Sequence, residues 1–163
     1  MRPTDIPPVL VTGATGRIGR LVIGQLLDVG VPVRALVRHA GAAATLPPEA
    51  EVFTGDLTAP ESLDPALSGA SAVFLVWTAP PGTAAPVVGR LAEHVRRVVF
   101  LSSPHRTPHP FFQQPNPMAA LHAGIERFLA ATRLAPTIIR PGMLASNALA
   151  WWAPATRAGE AVR

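Results

Sequence analysis

The sequence predicts an α/β fold, a doubly wound parallel sheet of about six strands with helices on both faces. Three observations carry that expectation. Short, unbroken apolar runs rich in Val alternate with segments of helical period. The first such run passes directly into a glycine-rich turn, and no repeat, linker or change of composition divides residues 1–163, which read as one domain.

"PVLVT" (8–12) reads as a strand buried on both faces. From Arg17 the period changes, with Ile18, Leu21, Val22 and Leu26 on one helical face and Gly30 just past the last turn. "VPVRALV", "EVFTGD", "SAVFLVW", "RRVVFLSS" and "APTIIRPG" read as the second to sixth strands. Between them "PESLDPALSG", "GTAAPVVGRLAEHV" and "MAALHAGIERFLAAT" are helical in character, the last with an apolar stripe of Met118, Leu121, Ile125, Phe128 and Leu129. Strands alternating with helices make right-handed crossovers and hence a parallel sheet. The stretch "SPHRTPHPFFQQPNP" (103–117) holds five prolines and reads as a loop over the mouth of the sheet.

Composition excludes several classes. There is no cysteine, which removes disulfides, thiolate nucleophiles and Cys-ligated zinc together. All fourteen basic residues are Arg, spread from Arg2 to Arg163 rather than gathered into a stripe with aromatics, so nucleic acid is not an expected partner. No apolar run approaches the ~20 residues of a membrane span and the start has no signal core, which makes a cytoplasmic, soluble protein the expectation. His105 and His109 lack a third ligand, and no metal is predicted.

The stretch "VTGATGRIGR" (11–20) has the context that gives a glycine motif meaning: strand, turn, helix start. Gly13 permits the tight turn, Gly16 lets backbone approach a pyrophosphate, and Gly19 lets the helix pack close to the strand. The diphosphate would rest on N–H groups at the positive end of the helix dipole, with Thr15, Arg17 and Ile18 in the same loop and helix start as further contacts. The second strand ends in Arg38 with no acidic residue nearby, which favours NADP(H) over NAD(H). The alternative is a solvated strand-end arginine.

With its G-x-x-G-x-x-G spacing, "VTGATGRIGR" resembles the fingerprint of atypical short-chain dehydrogenases of the NmrA-like type, and the likeness continues through "VRALVR", "TGDL", "RVVFLSS" and "HAGIERFL" to "PTIIRPGML". The resemblance implies an NAD(P)-binding Rossmann domain whose relatives include NAD(P)H-dependent reductases, quinone oxidoreductases and redox-sensing regulators. It further implies that Asp56 and Leu57 border the adenine, and that Trp77 and Thr78 line the ribose next to the nicotinamide. Asp56 as a simple cap and Trp77 as plain core are the competing readings. It also implies that the family's C-terminal substrate lobe is largely missing, leaving Trp151 and Trp152 either to be covered by a second copy or a protein partner, or to be tucked into the core.

The Tyr/Lys pair of short-chain dehydrogenases is impossible here, since the chain has neither residue. What remains is Ser102 and Ser103 at the end of the fifth strand, and His122 with Glu126 one turn further along a helix; Ser103 or His122 would polarise the acceptor. A helix-surface ion pair is the alternative for His122 and Glu126. Two functions follow as expectations: an NADPH-dependent oxidoreductase transferring hydride to a small carbonyl, quinone or flavin, or a non-catalytic NADP(H)-binding sensor or partner subunit.

Overall fold

In the computed structural model, residues 6–104, 116–142, 144, 147 and 152–159 are described. Six strands, β1 (Val9–Val11), β2 (Val33–Val37), β3 (Glu51–Thr54), β4 (Ala72–Val76), β5 (Arg97–Leu101) and β6 (Ala135–Ile139), form one sheet in the order β3-β2-β1-β4-β5-β6. Every pairing is parallel. This is the strand order of the Rossmann fold, and the expected architecture holds. The order reverses between β1 and β4, the point at which such sheets open a crevice beyond their carboxyl ends.

The helices are α1 (Arg17–Asp28), α2 (Asp64–Leu67), α3 (Ala84–His94), α4 (Pro117–Ala130) and α5 (Ala153–Arg157), with short 3-10 turns at Ala40–Thr45, Pro60–Leu63 and Pro81–Thr83. Consecutive strand residues face opposite sides, so the central strands feed two cores. Leu10, Leu36, Leu75 and Phe100 pack under α2, α3 and α4 with Leu67, Val88, Leu91, Ile125 and Leu129. Val11, Ala35, Val37 and Phe74 pack against Ile23 of α1.

Helix ends follow local chemistry. α1 closes in a Schellman motif: Gly30 takes φ +75°, its N–H donates to Leu27 O at 2.9 Å, and Val31 N–H donates to Leu26 O at 2.9 Å. α4 begins with Pro117 after Asn116, whose Oδ1 accepts from the N–H groups of Met118 and Ala119 at 3.0 and 3.1 Å.

The expected helix faces need correction. Leu21 is 58% exposed while Gly19 and Ile23 are the buried residues of α1. On α4 the buried set is Ala119, His122, Ile125 and Leu129, with Met118 and Phe128 facing out. The rest of each predicted stripe, Ile18, Val22 and Leu26 on α1 and Leu121, Ile125 and Leu129 on α4, does turn to the core, so only its margin faces solvent. The proline-rich loop lies outside the described residues from His105 to Pro115, as does Trp151.

Candidate functional site

The crevice beyond β1, β2 and β4 is a cleft of about 210 Å³ lined by Gly13, Thr15, Gly16, Leu36, Arg38, Gly55, Asp56, Leu57 and Thr78, among others. Its floor is the glycine turn. Gly13 sits at φ +59°, a conformation side chains rarely adopt, and accepts at its carbonyl from Gly16 N–H at 2.9 Å. A Cβ on Gly19 would lie 2.2 Å from Gly13 O and 2.9 Å from Ala14 Cα. Gly19 therefore lets α1 close on the turn itself, rather than on the strand as expected from the sequence.

Gly16 is the N-cap of α1 and offers no side chain to cap it. A twelve-residue helix thus presents an N-terminus without a side-chain cap to the cleft, beside a turn whose glycines leave the backbone bare. That cradle fits a pyrophosphate. Thr15, Gly16 and Arg17 are exposed at its lip, and Ile18 packs into the core behind it.

A residue that the motif reading passed over holds the two sides of the crevice together. Thr12 is 1% exposed, and its Oγ1 donates to Val76 O at 2.9 Å and accepts from Val76 N–H at 2.8 Å. The signal was a threonine closing an otherwise apolar strand.

Arg38 is exposed at the cleft's outer wall, on the end of β2. Across from it, Asp56 Oδ1 accepts from Thr58 N–H at 2.8 Å, and that backbone donor, with the charges of Arg38 and His39, holds the Asp56 carboxyl below its usual range. Asp56 thus lines the cleft and also bonds the backbone of its own loop. Ser62 fastens the loop, accepting from Asp56 N–H at 2.9 Å. Leu57 is buried beside it.

Trp77 does not line the cleft. It is 8% exposed within the core, with its indole N–H donating to Ala79 O at 2.6 Å. Core packing is the reading that fits it, and Thr78 alone of the pair reaches the cleft wall.

Beyond β5 lies a polar constellation. Val76 pairs with Leu101, so Thr78 and Ser103 each stand two residues past matched positions of adjacent strands. Ser103 Oγ and His122 Nδ1 are 2.9 Å apart, and the His122 ring meets Phe100 edge-on at 5.4 Å. Ser102 Oγ donates to Glu126 Oε1 at 2.6 Å, while Arg140 donates to both oxygens of the same carboxylate, a fork that raises the guanidinium pKa further. His122 is only 9% exposed, which excludes the solvent-facing ion pair left open by the sequence. No group of residues able to hold a metal occurs among the described residues, and no helix among them is long and apolar enough to cross a membrane.

A parallel sheet with this strand order, a glycine turn under an uncapped helix N-terminus and a crevice at the strand reversal define a dinucleotide-binding domain. The chain belongs to the NAD(P)H-binding family, whose pattern matches residues 13–159. It is 35% identical over 163 residues to (4-alkanoyl-5-oxo-2,5-dihydrofuran-3-yl)methyl phosphate reductase of Streptomyces griseus, covering 95% of this chain and 54% of that protein. It is 32% identical over 145 residues to the photosystem II assembly factor Ycf39 of Trieres chinensis, covering 81% of this chain and 44% of that one. Among solved structures it superposes on the Escherichia coli NADPH-dependent quinone oxidoreductase complexed with NADPH with a TM-score of 0.77 and 26% identity, over 93% of this chain and 54% of that one. The chain spans about half the length of the relatives it matches.

Proposed function

We propose that the protein is a reductase that binds NADPH in preference to NADH and delivers hydride to a small carbonyl, quinone or flavin acceptor. The observation that carries this reading is the placement of Ser103 and His122 one strand away from a cleft that holds a bare glycine turn at one end and Arg38 at the other. The bound nicotinamide would supply the hydride. Gly13, Gly16 and Gly19, with Thr15, Arg17 and Ile18 around them, cradle the diphosphate; Arg38 takes the 2′-phosphate; Asp56 and Leu57 border the adenine; Thr78 flanks the nicotinamide ribose. Similarity to a reductase of a small phosphate ester and to an NADPH-dependent quinone oxidoreductase supports a small-molecule acceptor such as a quinone.

Calorimetric titration of the purified chain with NADPH and NADH, followed by spectrophotometric turnover of quinones and ketones, tests the reading. Binding of NADPH at least tenfold tighter than NADH, with acceptor-dependent oxidation, is expected. Absence of binding by either nucleotide refutes it.

A second reading, a dinucleotide-binding partner subunit or sensor, is favoured by one feature. On the α1 side of the sheet a groove of about 550 Å³ runs between Val22 and Leu26 of α1 and Phe74 and Val99 of the strands. Ile139 on β6 is 41% exposed and Trp152 is 42% exposed. Apolar surface of this kind is usual at protein interfaces, and the likeness to an assembly factor is consistent with a protein partner or second copy. NADPH binding without turnover of any acceptor, together with a dimer or complex mass by light scattering, would select this reading over the first.

A further inference from the structure

We infer that Ser103 is the group that gives the proton to a carbonyl acceptor, and that His122, buried behind it, is the reservoir that refills it. The inference rests on the reductase reading and deepens it, naming a carbonyl oxygen as the atom protonated.

Burial decides the order of the two groups. His122 is 9% exposed, with Phe100 across its ring and Ile125 and Leu129 buried on the same helix, so the imidazole is set back from substrate. Ser103 is half-buried and lies at the carboxyl edge of the sheet, level with the cleft residue Thr78. The 2.9 Å contact between Ser103 Oγ and His122 Nδ1 joins them. Of the two, the hydroxyl is the less buried and stands at the strand end nearer the cleft.

The protonation state of His122 then sets the direction of the serine proton. With neutral imidazole accepting at Nδ1, the hydroxyl hydrogen of Ser103 is directed at the ring. With imidazolium, Nδ1–H donates to Ser103 Oγ and the hydroxyl hydrogen is released towards the cleft. Ser103 passes its proton to the carbonyl oxygen as the carbonyl carbon receives hydride, and it takes the Nδ1 proton of His122 in the same motion. The C=O π bond becomes a C–H and an O–H bond, NADPH is oxidised to NADP⁺, and neutral His122 regains one proton from water. Ser103 never carries net charge, which avoids the cost of an alkoxide.

Among the described residues, one charged pair and otherwise uncharged or apolar groups lie near the ring. On its own helix Glu126 lies one turn on, and its charge is balanced by the Arg140 fork from beyond β6. β5 contributes the uncharged Phe100, Ser102 and Ser103. α3 turns the apolar Ala84, Val87, Val88 and Leu91 inward, while its Arg90 and His94 contact Asp64, and Arg90 also pairs with Glu93. By tying Ser102 to Glu126, the Ser102–Glu126–Arg140 set fixes the strand end from which Ser103 projects; these three are positioning residues.

The test uses the full chain and two readouts. The His122 ring is titrated by ¹H–¹³C NMR without ligand in the wild type, in Ser103→Ala and in Ser103→Thr. In parallel, NADPH affinity and the pH profile of phenanthrenequinone reduction are measured for the same proteins and for His122→Asn. Ser103→Ala is expected to shift the His122 midpoint by about half a unit or more, since one hydrogen bond to the charged form is lost, with Ser103→Thr restoring it. kcat in Ser103→Ala and His122→Asn is expected to fall about 100-fold at unchanged NADPH affinity. The wild-type rate should decline above the His122 midpoint, and His122→Asn should lose that limb. A midpoint indifferent to Ser103, or variant rates within threefold of wild type, overturns the relay while leaving an NADPH reductase standing. No NADPH binding, or no turnover by the wild type, removes reading and relay together.

Discussion

Thr12 and Val76, 64 residues apart in the chain, exchange two hydrogen bonds across the strand reversal, Thr12 Oγ1 both donating to and accepting from the Val76 backbone. The clasp lies directly under the glycine turn, since a Cβ on Gly13 would stand 3.0 Å from Val76 Cβ. β1 and β4 are thereby locked at the end where a crevice opens, and the turn is built on a rigid footing.

Thr12→Val preserves shape and removes both bonds, leaving the half-buried Val76 N–H and O without this partner. The expected loss of stability is about 1–3 kcal/mol, read from urea unfolding. NADPH affinity should fall as well, because the turn loses its support. An unchanged unfolding midpoint would show the clasp to be dispensable.

Gly19→Ala and Gly24→Ala make a matched pair on one helix. At Gly19 the new methyl meets backbone at 2.2 Å, and backbone cannot swing aside as a side chain does. Overpacking of about 1–3 kcal/mol and a displaced glycine turn are expected, with NADPH binding weakened in calorimetry. At Gly24 nothing lies within 4 Å of the new Cβ, so helix propensity alone operates and the chain should gain up to about 1 kcal/mol.

The same residues show what the sequence makes legible. Gly13, Gly30 and Asn116 act through neighbours a few positions away, and turn, C-cap and N-cap are written locally. The inner strands are legible for a similar reason, since a buried parallel strand is a continuous apolar run bounded by turns, and the edge strands β3 and β6 keep enough of that pattern to be read. The faces of α1 and α4 are legible at their centres, where Ile18, Val22, Leu26, Leu121, Ile125 and Leu129 turn to the core, and not at their margins, because apolar residues there extend past the line of contact. Leu21 and Met118 fit a helical stripe and still point to solvent. The Ser102–Glu126–Arg140 set is also illegible in advance, because it joins the ends of β5 and β6 to the middle of α4. His122 was identified by type, but its burial and its partner Ser103 depend on how α4 seats against Phe100.

Acid titration should report on Asp56. Its folded carboxyl lies below the ordinary value of 3.8, chiefly because Thr58 N–H bonds the charged form. A depressed carboxyl contributes stability above its unfolded pKa and loses it as pH falls through the folded pKa. Asp56→Asn should therefore be slightly less stable than wild type at pH 7, by less than about 1 kcal/mol because solvent screens the site. The two unfolding curves should converge as pH drops below 3.8. A gap that persists in acid would mean that the asparagine fails for a reason other than charge.

Arg38→Ala should separate the two nucleotides. Arg38 stands exposed at the end of β2, on the wall of the cleft that also holds the glycine turn, and nothing acidic precedes it on that strand to bond a ribose 2′-hydroxyl. A guanidinium there meets a 2′-phosphate with charge-assisted bonds worth about 1.5–3 kcal/mol, which corresponds to roughly ten- to a hundredfold in affinity. Removing it should weaken NADPH by that factor and leave NADH within about twofold, with the salt dependence of NADPH binding reduced in step. Asp56 supplies an internal control, since its carboxylate shares the cleft with Arg38 and feels the arginine's charge. In Arg38→Ala the Asp56 carboxyl should titrate at higher pH than in wild type, because one of the charges that hold it down has gone. Equal losses for NADPH and NADH would instead place Arg38 in general electrostatic attraction, and the specificity assigned to it would have to be withdrawn.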